Sequence, residues 1–366
     1  MTVQSSAEVI DGLLRGRGAE RVGLYDSIWW DTLEAWTAQG YPRKPDGKPA
    51  DPGEHFGFDL AGVGGWFDTM PLRGEPELLE ETAEWSVKRN GAGAALKYWK
   101  KRSGTPEHVD FRMTSREVWE RDYRPHLLAL DRGRIKIDDA RTALARERGR
   151  RRWAFFGHLF IWENARQSLG DVCLYESVLL DPGWIRDYNR VYTDFFKAHY
   201  RALIAEAGKP DGVWMYEDLG YKGGLFCSPA VYAELFFPYF RELVEFFHGY
   251  DLPVVLHSCG NVTEALPLIV EAGFDALNPM ERKAGCQPLE IAERYGDRLA
   301  LVGGLDARVL ESGDKALIRR EVTELVEGLK ARGARYVFAS DHSVSTNVKY
   351  EDFQYAVGVY REHMHC

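Results

Sequence analysis

The sequence predicts an α/β fold, a (β/α)8 TIM barrel with an amino-terminal helical elaboration. From about residue 150 onward, short apolar runs alternate with amphipathic segments of helical length. Apolar runs without polar alternation are typical of parallel strands that helices cover on both faces. The six runs are RRWAFFGH (151–158), DGVWMYED (211–218), LPVVLHSC (252–259), FDALNP (274–279), RLALVGG (298–304) and ARYVFAS (334–340).

Two weaker strand candidates lie earlier in the chain, RVGLYD (21–26) and HVDFRM (108–113). With them the strand candidates number eight, which is the number that closes such a barrel. Helix signals lie between the runs. Ser228 is a suitable N-cap for a helix over AVYAELFFPYFRELVEFFHGY, and Thr263 for a second helix over TEALPLIVEAG.

The first 150 residues differ from the rest in composition. Three segments predict helices there, TLEAWTAQG, ELLEETAEWSVKR and DDARTALARERG. No glycine-serine linker separates this part from the remainder, so we expect a single domain over 1–366. In it, residues 1–150 form the elaboration with the first strands, and residues 150–366 form the main barrel repeat.

Aromatic residues are unusually frequent in the elaboration, and most of them are expected in the core. Trp29, Trp30, Trp66 and Phe67 follow a strand or a glycine turn. Indole rings at such positions could wall a pocket for a substrate or a cofactor.

Composition narrows the class of protein. Hydrophobic residues make up 45% and charged residues 28% of the chain, so a full core can form. The net charge of −9 disfavours binding to nucleic acid or to an anionic membrane surface. No apolar run is long enough to span a membrane, and the amino terminus lacks the apolar region of a signal peptide. Five cysteines without regular spacing suit a reducing compartment. We therefore expect a cytoplasmic protein.

Polar residues cluster at the carboxyl ends of the predicted strands. Barrel enzymes build their active sites at this end, and ionisable groups buried there are costly unless they are used. An open doubly wound sheet would also bind ligands at these ends, so the pattern predicts an active site more firmly than barrel closure. The residues are Asp26, His158, Glu217, Asp218, His257, Cys259, Asn278, Asp306, Asp341 and His342.

The segment Leu256–Gly260 carries the clearest local signal. Residues i and i+2 of a strand point to the same face, so His257 and Cys259 project together. Imidazole and thiolate are good ligands for zinc. A third ligand would come from a neighbouring strand end.

The candidates for that ligand are His342, Asp341 and Glu217. The alternatives are that His342 is a hydrogen-bonded loop residue and that Glu217 and Asp218 are acids at a helix start. Cys286 is expected to be structural.

Several ordered segments together resemble the uroporphyrinogen decarboxylase superfamily. The similarity covers residues 150–366 well and the first 150 loosely, through RVGLYD and HFGFDLAG. It implies one (β/α)8 barrel with an amino-terminal elaboration. The segments are MYEDLGYKGGLFCSPAVYAELFFPYF, VVLHSCGNVTEALPLIVEAGFDALNP, YGDRLALVGGLDARVL and GARYVFASDHSVSTNVKYEDF.

The resemblance implies one of two chemistries. The true decarboxylases hold a porphyrinogen through an arginine-bearing segment near the first strand and through an aspartate. This chain has LYDSIWWDTLEAW in place of that segment, without arginine, although Asp59 in GFDLAG resembles the aspartate. The other branch consists of zinc methyltransferases that work with corrinoid proteins and carry HxC at His257 and Cys259. Their third cysteine is replaced here by His342.

The resemblance therefore favours a zinc-dependent methyltransferase. It would move a methyl group between a small methylated substrate or a thiol and a corrinoid (cobalamin) on a partner protein. We expect His257, Cys259 and His342 to bind zinc, with Glu217 as a fourth ligand or a general base. The residues expected to orient the substrate are Asp59, His158, Asp218 and Asn278.

Replacing a thiolate with the neutral imidazole of His342 would leave the zinc group with a charge of about +1, provided that Glu217 is not a ligand. This charge predicts removal of an oxygen- or nitrogen-bound methyl group rather than methylation of a free thiol.

Two other functions stay open. One is a decarboxylase of a small acid or modified tetrapyrrole that acts without metal. The metal content of the purified protein would distinguish it from the zinc-dependent methyltransferase. The other is a ligand-binding barrel without turnover.

Overall fold

The computed structural model of the protein describes residues 3–366. The helices are α1 (Ser6–Leu14), α2 (Trp30–Thr37), α3 (Pro52–Phe56), α4 (Arg116–Val118), α5 (Ile137–Gly149), α6 (Ile161–Leu169), α7 (Asp171–Leu180), α8 (Pro182–Ala207), α9 (Pro229–Leu235), α10 (Phe237–His248), α11 (Leu266–Glu271), α12 (Pro288–Tyr295), α13 (Ala307–Glu311), α14 (Lys315–Ala331) and α15 (Tyr350–His363). The strands are β1 (Gly23–Leu24), β2 (Leu60–Gly62), β3 (Glu77–Glu81), β4 (Trp85–Arg89), β5 (Ala94–Trp99), β6 (Glu107–Phe111), β7 (Trp153–Leu159), β8 (Gly212–Tyr216), β9 (Gly220–Tyr221), β10 (Gly224–Leu225), β11 (Val254–Ser258), β12 (Ala276–Pro279), β13 (Ala300–Val302) and β14 (Tyr336–Phe338).

A parallel barrel forms the centre of the molecule. Within residues 3–366 its eight strands pair in the order β1-β14-β13-β12-β11-β8-β7-β2. The two end strands of this order are joined by a hydrogen bond from the Asp59 N–H to the Leu24 carbonyl, 2.8 Å long. Helices such as α8, α10 and α14 pack around the outside, and aromatic rings such as Phe155 and Trp214 fill the interior. The predicted (β/α)8 barrel is confirmed.

Seven of the predicted strand segments contain a barrel strand, but HVDFRM does not. It contains β6, the edge of an antiparallel sheet in the order β3-β4-β5-β6. The remaining barrel strand is β2, in GFDLAG. Because β2 has only three residues, two of them small, its apolar pattern is too short to stand out in the sequence.

The helix expected over ELLEETAEWSVKR is wrong. The segment forms β3 and β4, which pair antiparallel around a turn in which the Thr82 N–H donates to the Trp85 carbonyl at 2.8 Å. Its acids, alanine and leucines favour a helix locally. Cross-strand pairing of Trp85 with Trp99 overrides that preference.

The other predicted helices are present, with some interruptions. DDARTALARERG lies in α5, and TLEAWTAQG overlaps α2. The segment after Ser228 is divided into α9 and α10 at Phe236, where Pro238 falls in the first turn of α10 and lacks an N–H. TEALPLIVEAG forms a 3-10 turn followed by α11. None of the helices between residues 3 and 366 has the length and apolar character needed to cross a membrane.

Asp59 does not lie where the sequence suggested. It precedes β2 and is therefore at the amino-terminal end of the barrel, opposite the strand ends that gather the other polar residues. Its carboxylate accepts hydrogen bonds from both terminal guanidinium nitrogens of Arg21, at 2.8 and 2.7 Å, and from the Leu24 N–H at 2.8 Å. The proposed role in orienting substrate is corrected to a structural one, because this buried ion pair ties β1 to β2.

Replacing Asp59 with asparagine should destabilise the barrel. The variant leaves Arg21 without a carboxylate, and breaking a buried pair costs about 3 kcal/mol. Urea denaturation should show this loss, whereas Asp46→Asn, at an exposed loop position, should change the free energy of unfolding by less than about 0.5 kcal/mol. Equal losses in the two variants would contradict the structural role of Asp59.

Candidate active site

Three neighbouring strands align the residues of the candidate site. In the parallel register His257 of β11 pairs with Tyr216 of β8 on one side and with Asn278 of β12 on the other. Paired residues of a parallel sheet point to the same face, so these side chains form one row at the carboxyl-terminal end of the barrel interior. The Tyr216 and His257 rings are in contact, with centroids 5.1 Å apart.

Asp218, His257 and Cys259 form a group that could hold a metal ion. One ligand atom from each residue lies within 4.8 Å of the other two. The His257 Nε2 is 3.5 Å from the Cys259 Sγ and 3.7 Å from an Asp218 carboxylate oxygen. The same oxygen of Asp218 accepts the Cys259 N–H at 2.8 Å, which holds the carboxylate against the turn after β11. Nitrogen, sulfur and oxygen donors at these separations are a suitable set for zinc.

Asn278 fixes the orientation of the His257 ring. Its amide nitrogen donates to the Val302 carbonyl at 3.1 Å, so its amide oxygen faces His257 Nδ1 at 2.5 Å. The Nδ1 must therefore carry the proton, and the Nε2 lone pair is directed toward Asp218 and Cys259. Metal-binding histidines usually donate their second ring N–H in this way. Asn278 was expected to orient substrate; it positions His257 and also lines the cavity that His257 borders, so that expected role stays a prediction.

The surroundings of the group are acidic. Burial raises the pKa of the Cys259 thiol, and the carboxylates of Asp218 and Glu281 raise it further. Burial, together with Asp218, also raises the pKa of Glu163 to about 7. Glu281 accepts the Gly260 N–H at 2.7 Å and pairs with Lys283. A bound cation would compensate this negative charge and favour the thiolate.

Glu217 has a structural role rather than the expected role of ligand or base. Its carboxylate accepts N–H groups at the start of α6, from Ile161 at 2.6 Å, Trp162 at 3.2 Å and Glu163 at 2.8 Å. Burial raises the pKa of Glu217, and the three N–H donors lower it. Because these bonds occupy both of its oxygens, Glu217 anchors α6 to β8, while Asp218 joins the metal group. The interpretation as a helix-start acid thus holds for Glu217.

His342 does not belong to the group around His257. Its Nδ1 lies 3.3 Å from the Ser343 carbonyl, and its ring stands edge-on to Trp29, with centroids 5.8 Å apart. It lines the same cavity as His257. Among residues 3–366 the group whose ligand atoms lie close together contains Asp218 and not His342, so Asp218, His257 and Cys259 are the candidate metal group, and zinc binding by the expected set of His257, Cys259 and His342 stays a prediction.

Three other residues predicted near the site, His158, Asp341 and Cys286, are held in structural contacts. Both ring nitrogens of His158 face backbone carbonyls, Phe67 at 2.9 Å and Leu159 at 2.6 Å, and burial lowers its pKa. It therefore fixes the loop after β2, and its expected role in orienting substrate stays a prediction. Asp341 accepts the N–H groups of Arg282 and Ala307, and Cys286 is buried, with its thiol 3.5 Å from the Gly260 carbonyl.

The tryptophans expected near a cofactor lie around the barrel mouth in different environments. Trp66 is half exposed and packs on Tyr216, with ring centroids 5.4 Å apart. Trp29 contacts His342, whereas Trp30 begins α2 and is exposed. Their role in binding a cofactor stays a prediction.

A cavity of about 240 Å³ lies inside the barrel mouth, beside His257. Its walls include Asp26, Tyr25, Trp214 and Tyr216. Asp26 was predicted only as a polar residue at a strand end, and Tyr25, Trp214 and Tyr216 were not among the predicted site residues. The sequence position of Tyr25 and Tyr216 could have indicated them, since each directly precedes the acid at the end of a strand.

A barrel with ionisable groups gathered at the carboxyl ends of its strands has the architecture of a TIM-barrel enzyme. The uroporphyrinogen decarboxylase family model matches residues 181–363, half of the chain, so the chain belongs to this family.

Similar proteins are known by sequence and by structure. Uroporphyrinogen decarboxylases of Pseudomonas putida and Pseudomonas entomophila are 33% and 32% identical over 125 residues, about a third of this chain and of each relative. A methyltransferase from Methanosarcina mazei has the same fold, with a TM-score of 0.68, 17% identity and 98% of both chains covered.

The environment of Asp26 predicts a pH dependence of stability. Burial raises its pKa to about 7, so near pH 6 the folded chain holds a proton that the unfolded chain has already lost, and the folded chain releases this proton as the pH rises to 8. Stability should therefore fall as the pH rises, by about 1.4 kcal/mol from this residue. Urea denaturation at both pH values should show this fall in the wild type and its absence in Asp26→Asn. Parallel profiles of the two proteins would show that Asp26 is ionised throughout.

Proposed function

We propose that the protein is a zinc-dependent methyltransferase that moves a methyl group between a small methylated substrate or thiol and a corrinoid protein. The observation that carries the proposal is the group of Asp218, His257 and Cys259 at the carboxyl end of the barrel. Family membership and the shared fold with a methyltransferase support it.

The donor set fits zinc on chemical grounds. It offers one nitrogen, one sulfur and one oxygen, and the three protein ligands leave a position for substrate, as catalytic zinc sites require. Asn278 already directs the Nε2 of His257 to the group. Zinc bound here would supply Lewis acidity toward the heteroatom that carries the methyl group or toward a thiol.

The roles of the chain's own residues follow from their contacts. Asp218, His257 and Cys259 would hold the metal, and Asn278 positions His257. Glu217 keeps β8 and α6 fixed relative to each other, which holds Asp218 in place. The cavity beside His257 would take the substrate, and the exposed indole of Trp66 at the mouth would border the corrinoid protein.

The third ligand decides the charge of the group. With Asp218 in place of His342, a carboxylate and a thiolate together balance the two positive charges of zinc. The charge of about +1 expected from His342 therefore does not follow from the residues that the structure brings together. The predicted preference for oxygen- or nitrogen-bound methyl groups over thiols loses its basis, and either acceptor class is compatible with a neutral group.

Decarboxylation of a small acid is a second candidate, because the matching family model and the curated relatives are decarboxylases. The cavity argues against an acidic substrate. In the part of the chain that the structure describes, its lining contains neither lysine nor arginine, and it does contain Asp26. A carboxylate-bearing substrate would have no cationic partner there.

Metal analysis tests the proposal directly. Purified protein should contain about one zinc per chain, and Asp218→Ala and Cys259→Ala should lose most of it, since each removes one of three ligands. Asn278→Ala should weaken zinc binding by about 10- to 100-fold through the loss of His257 positioning. The matched control is His342→Ala, in the same cavity, which should retain zinc.

Circular dichroism should show the barrel intact in each variant. Full zinc in Cys259→Ala would exclude the proposed metal group. Loss of zinc in His342→Ala, with retention in Asp218→Ala, would restore the set expected from the sequence.

Substrate specificity provides a separate test. The zinc protein should not convert uroporphyrinogen to coproporphyrinogen, because the tetrapyrrole carboxylates have no basic partners in the cavity. It should transfer methyl groups between methylated small molecules and a cob(I)alamin acceptor, followed by the absorbance of methylcobalamin. Porphyrinogen turnover at ordinary enzyme levels, with no methyl transfer, would favour the decarboxylase.

A further inference from the structure

Asp26 differs from the other buried carboxylates in what surrounds it. Its oxygens accept only neutral donors, the Ser340 hydroxyl at 2.6 Å, the Ser340 N–H at 3.1 Å and the Ser27 N–H at 2.9 Å. In contrast, most of the other buried acids pair with a cation, namely Asp59 with Arg21, Glu147 with Arg152, Glu163 with Arg166, Glu281 with Lys283 and Asp352 with Lys315. Glu217 and Asp341 have helix-start N–H groups instead.

Asp26 is also the buried acid that faces the cavity. It is 8% exposed and lines the space beside His257. Within residues 3–366 it forms no ion pair, and the cavity lining supplies no lysine or arginine. A buried carboxylate without a counter-charge is costly, and a bound cation would remove that cost.

The walls near Asp26 are aromatic. Tyr25 and Trp214 are in contact, with ring centroids 5.3 Å apart, and Trp214 and Tyr216 are 6.3 Å apart. Aromatic faces attract ammonium groups through the quadrupole of the ring. The Trp214 Nε1 is buried and has no hydrogen-bond partner in the described structure, so an oxygen on a ligand could serve as its acceptor.

We infer that this cavity binds a small ammonium compound carrying a neutral oxygen, with its cationic group held between Asp26 and the rings of Tyr25, Trp214 and Tyr216. The inference rests on the proposed function in treating the cavity as the substrate end of the site. If Asp218 and Cys259 balance the charge of a bound zinc ion, the carboxylate of Asp26 is the remaining negative charge in the cavity. The volume of about 240 Å³ is below the roughly 300–1,000 Å³ typical of sites for drug-sized ligands, which limits the ligand to a small molecule.

Three ligands of nearly equal shape test the charge preference in the wild-type protein. They are choline, its neutral carbon analogue 3,3-dimethylbutan-1-ol and the anion 3,3-dimethylbutanoate. Isothermal titration calorimetry at pH 8 and low salt should show choline binding at least about tenfold more tightly than the neutral alcohol, because only choline gains the ring and carboxylate attraction. The anion should bind most weakly. Equal binding of choline and the alcohol, tighter binding of the anion, or no binding of choline would overturn the inference.

A pair of variants assigns the preference to Asp26. Asp26→Asn should reduce the ratio of choline to alcohol affinity to within about threefold. Asp306→Asn should leave the ratio unchanged, because Asp306 pairs with Arg308 at the start of α13 and does not line the cavity. A preserved ratio in Asp26→Asn would show that Asp26 only joins β1 to Ser340. If this variant fails to fold, the three-ligand series in the wild type still tests whether the cavity prefers a cation.

Zinc should be measured in the same samples, so that the two proposals can fail separately. Choline selectivity in a protein that binds no zinc would leave the cation site standing and remove the proposed function. A protein that binds zinc but does not distinguish choline from its neutral analogue would leave the proposed function standing and remove the cation site.

Discussion

The parallel pairing of β11 with β8 and β12 is the constraint on which the candidate site depends. It sets Tyr216, His257 and Asn278 in one row, so that a ring, an imidazole and an amide meet at fixed spacing. Asn278 can orient His257 only because β12 pairs in this register, and a shift by one residue would turn its side chain to the other face. The metal group thus inherits its geometry from the backbone pairing of the sheet.

Buried carboxylates organise both ends of the barrel in different ways. At the amino-terminal end Asp59 pairs with Arg21 and closes the gap between β1 and β2. At the carboxyl end Glu217 binds the start of α6 through backbone donors, which leaves its neighbour Asp218 free to face Cys259. The first arrangement uses a cation within the protein, and the second uses backbone dipoles. Asp26 and Asp218 have neither such a cation nor a helix start to bind within residues 3–366, and they lie at the mouth of the barrel, where a bound metal or a cationic ligand could compensate their charge.

The barrel could be predicted from the sequence because its strands are apolar runs, while the details of the site could not. The positions of His257 and Cys259 follow from the two-residue period of a strand. The choice of third ligand does not, since successive residues at a strand end point in opposite directions and the sequence does not show which of Glu217 and Asp218 turns inward. His342 was predicted as a ligand because it stands where the resembling methyltransferases have a cysteine, but its ring stands edge-on to Trp29. The hairpin β3–β4 could not be predicted because β4 also pairs with β5, which lies outside the segment whose composition favours a helix.

The family match and the cavity divide the site between two parts of the chain. Asp218, His257 and Cys259 all lie within residues 181–363, the part that the family model matches. Tyr25 and Asp26 lie in the loop after β1, outside that part, and the segment LYDSIWWDTLEAW that contains them has no basic residue to meet an acidic ligand. The candidate metal ligands therefore come from the matched segment alone, whereas the cavity combines Tyr25 and Asp26 with Trp214 and Tyr216 of that segment. A change at Asp26 can therefore alter the choice of ligand without altering the metal ligands, because Asp26 follows β1, whereas the metal group lies on and after β8 and β11.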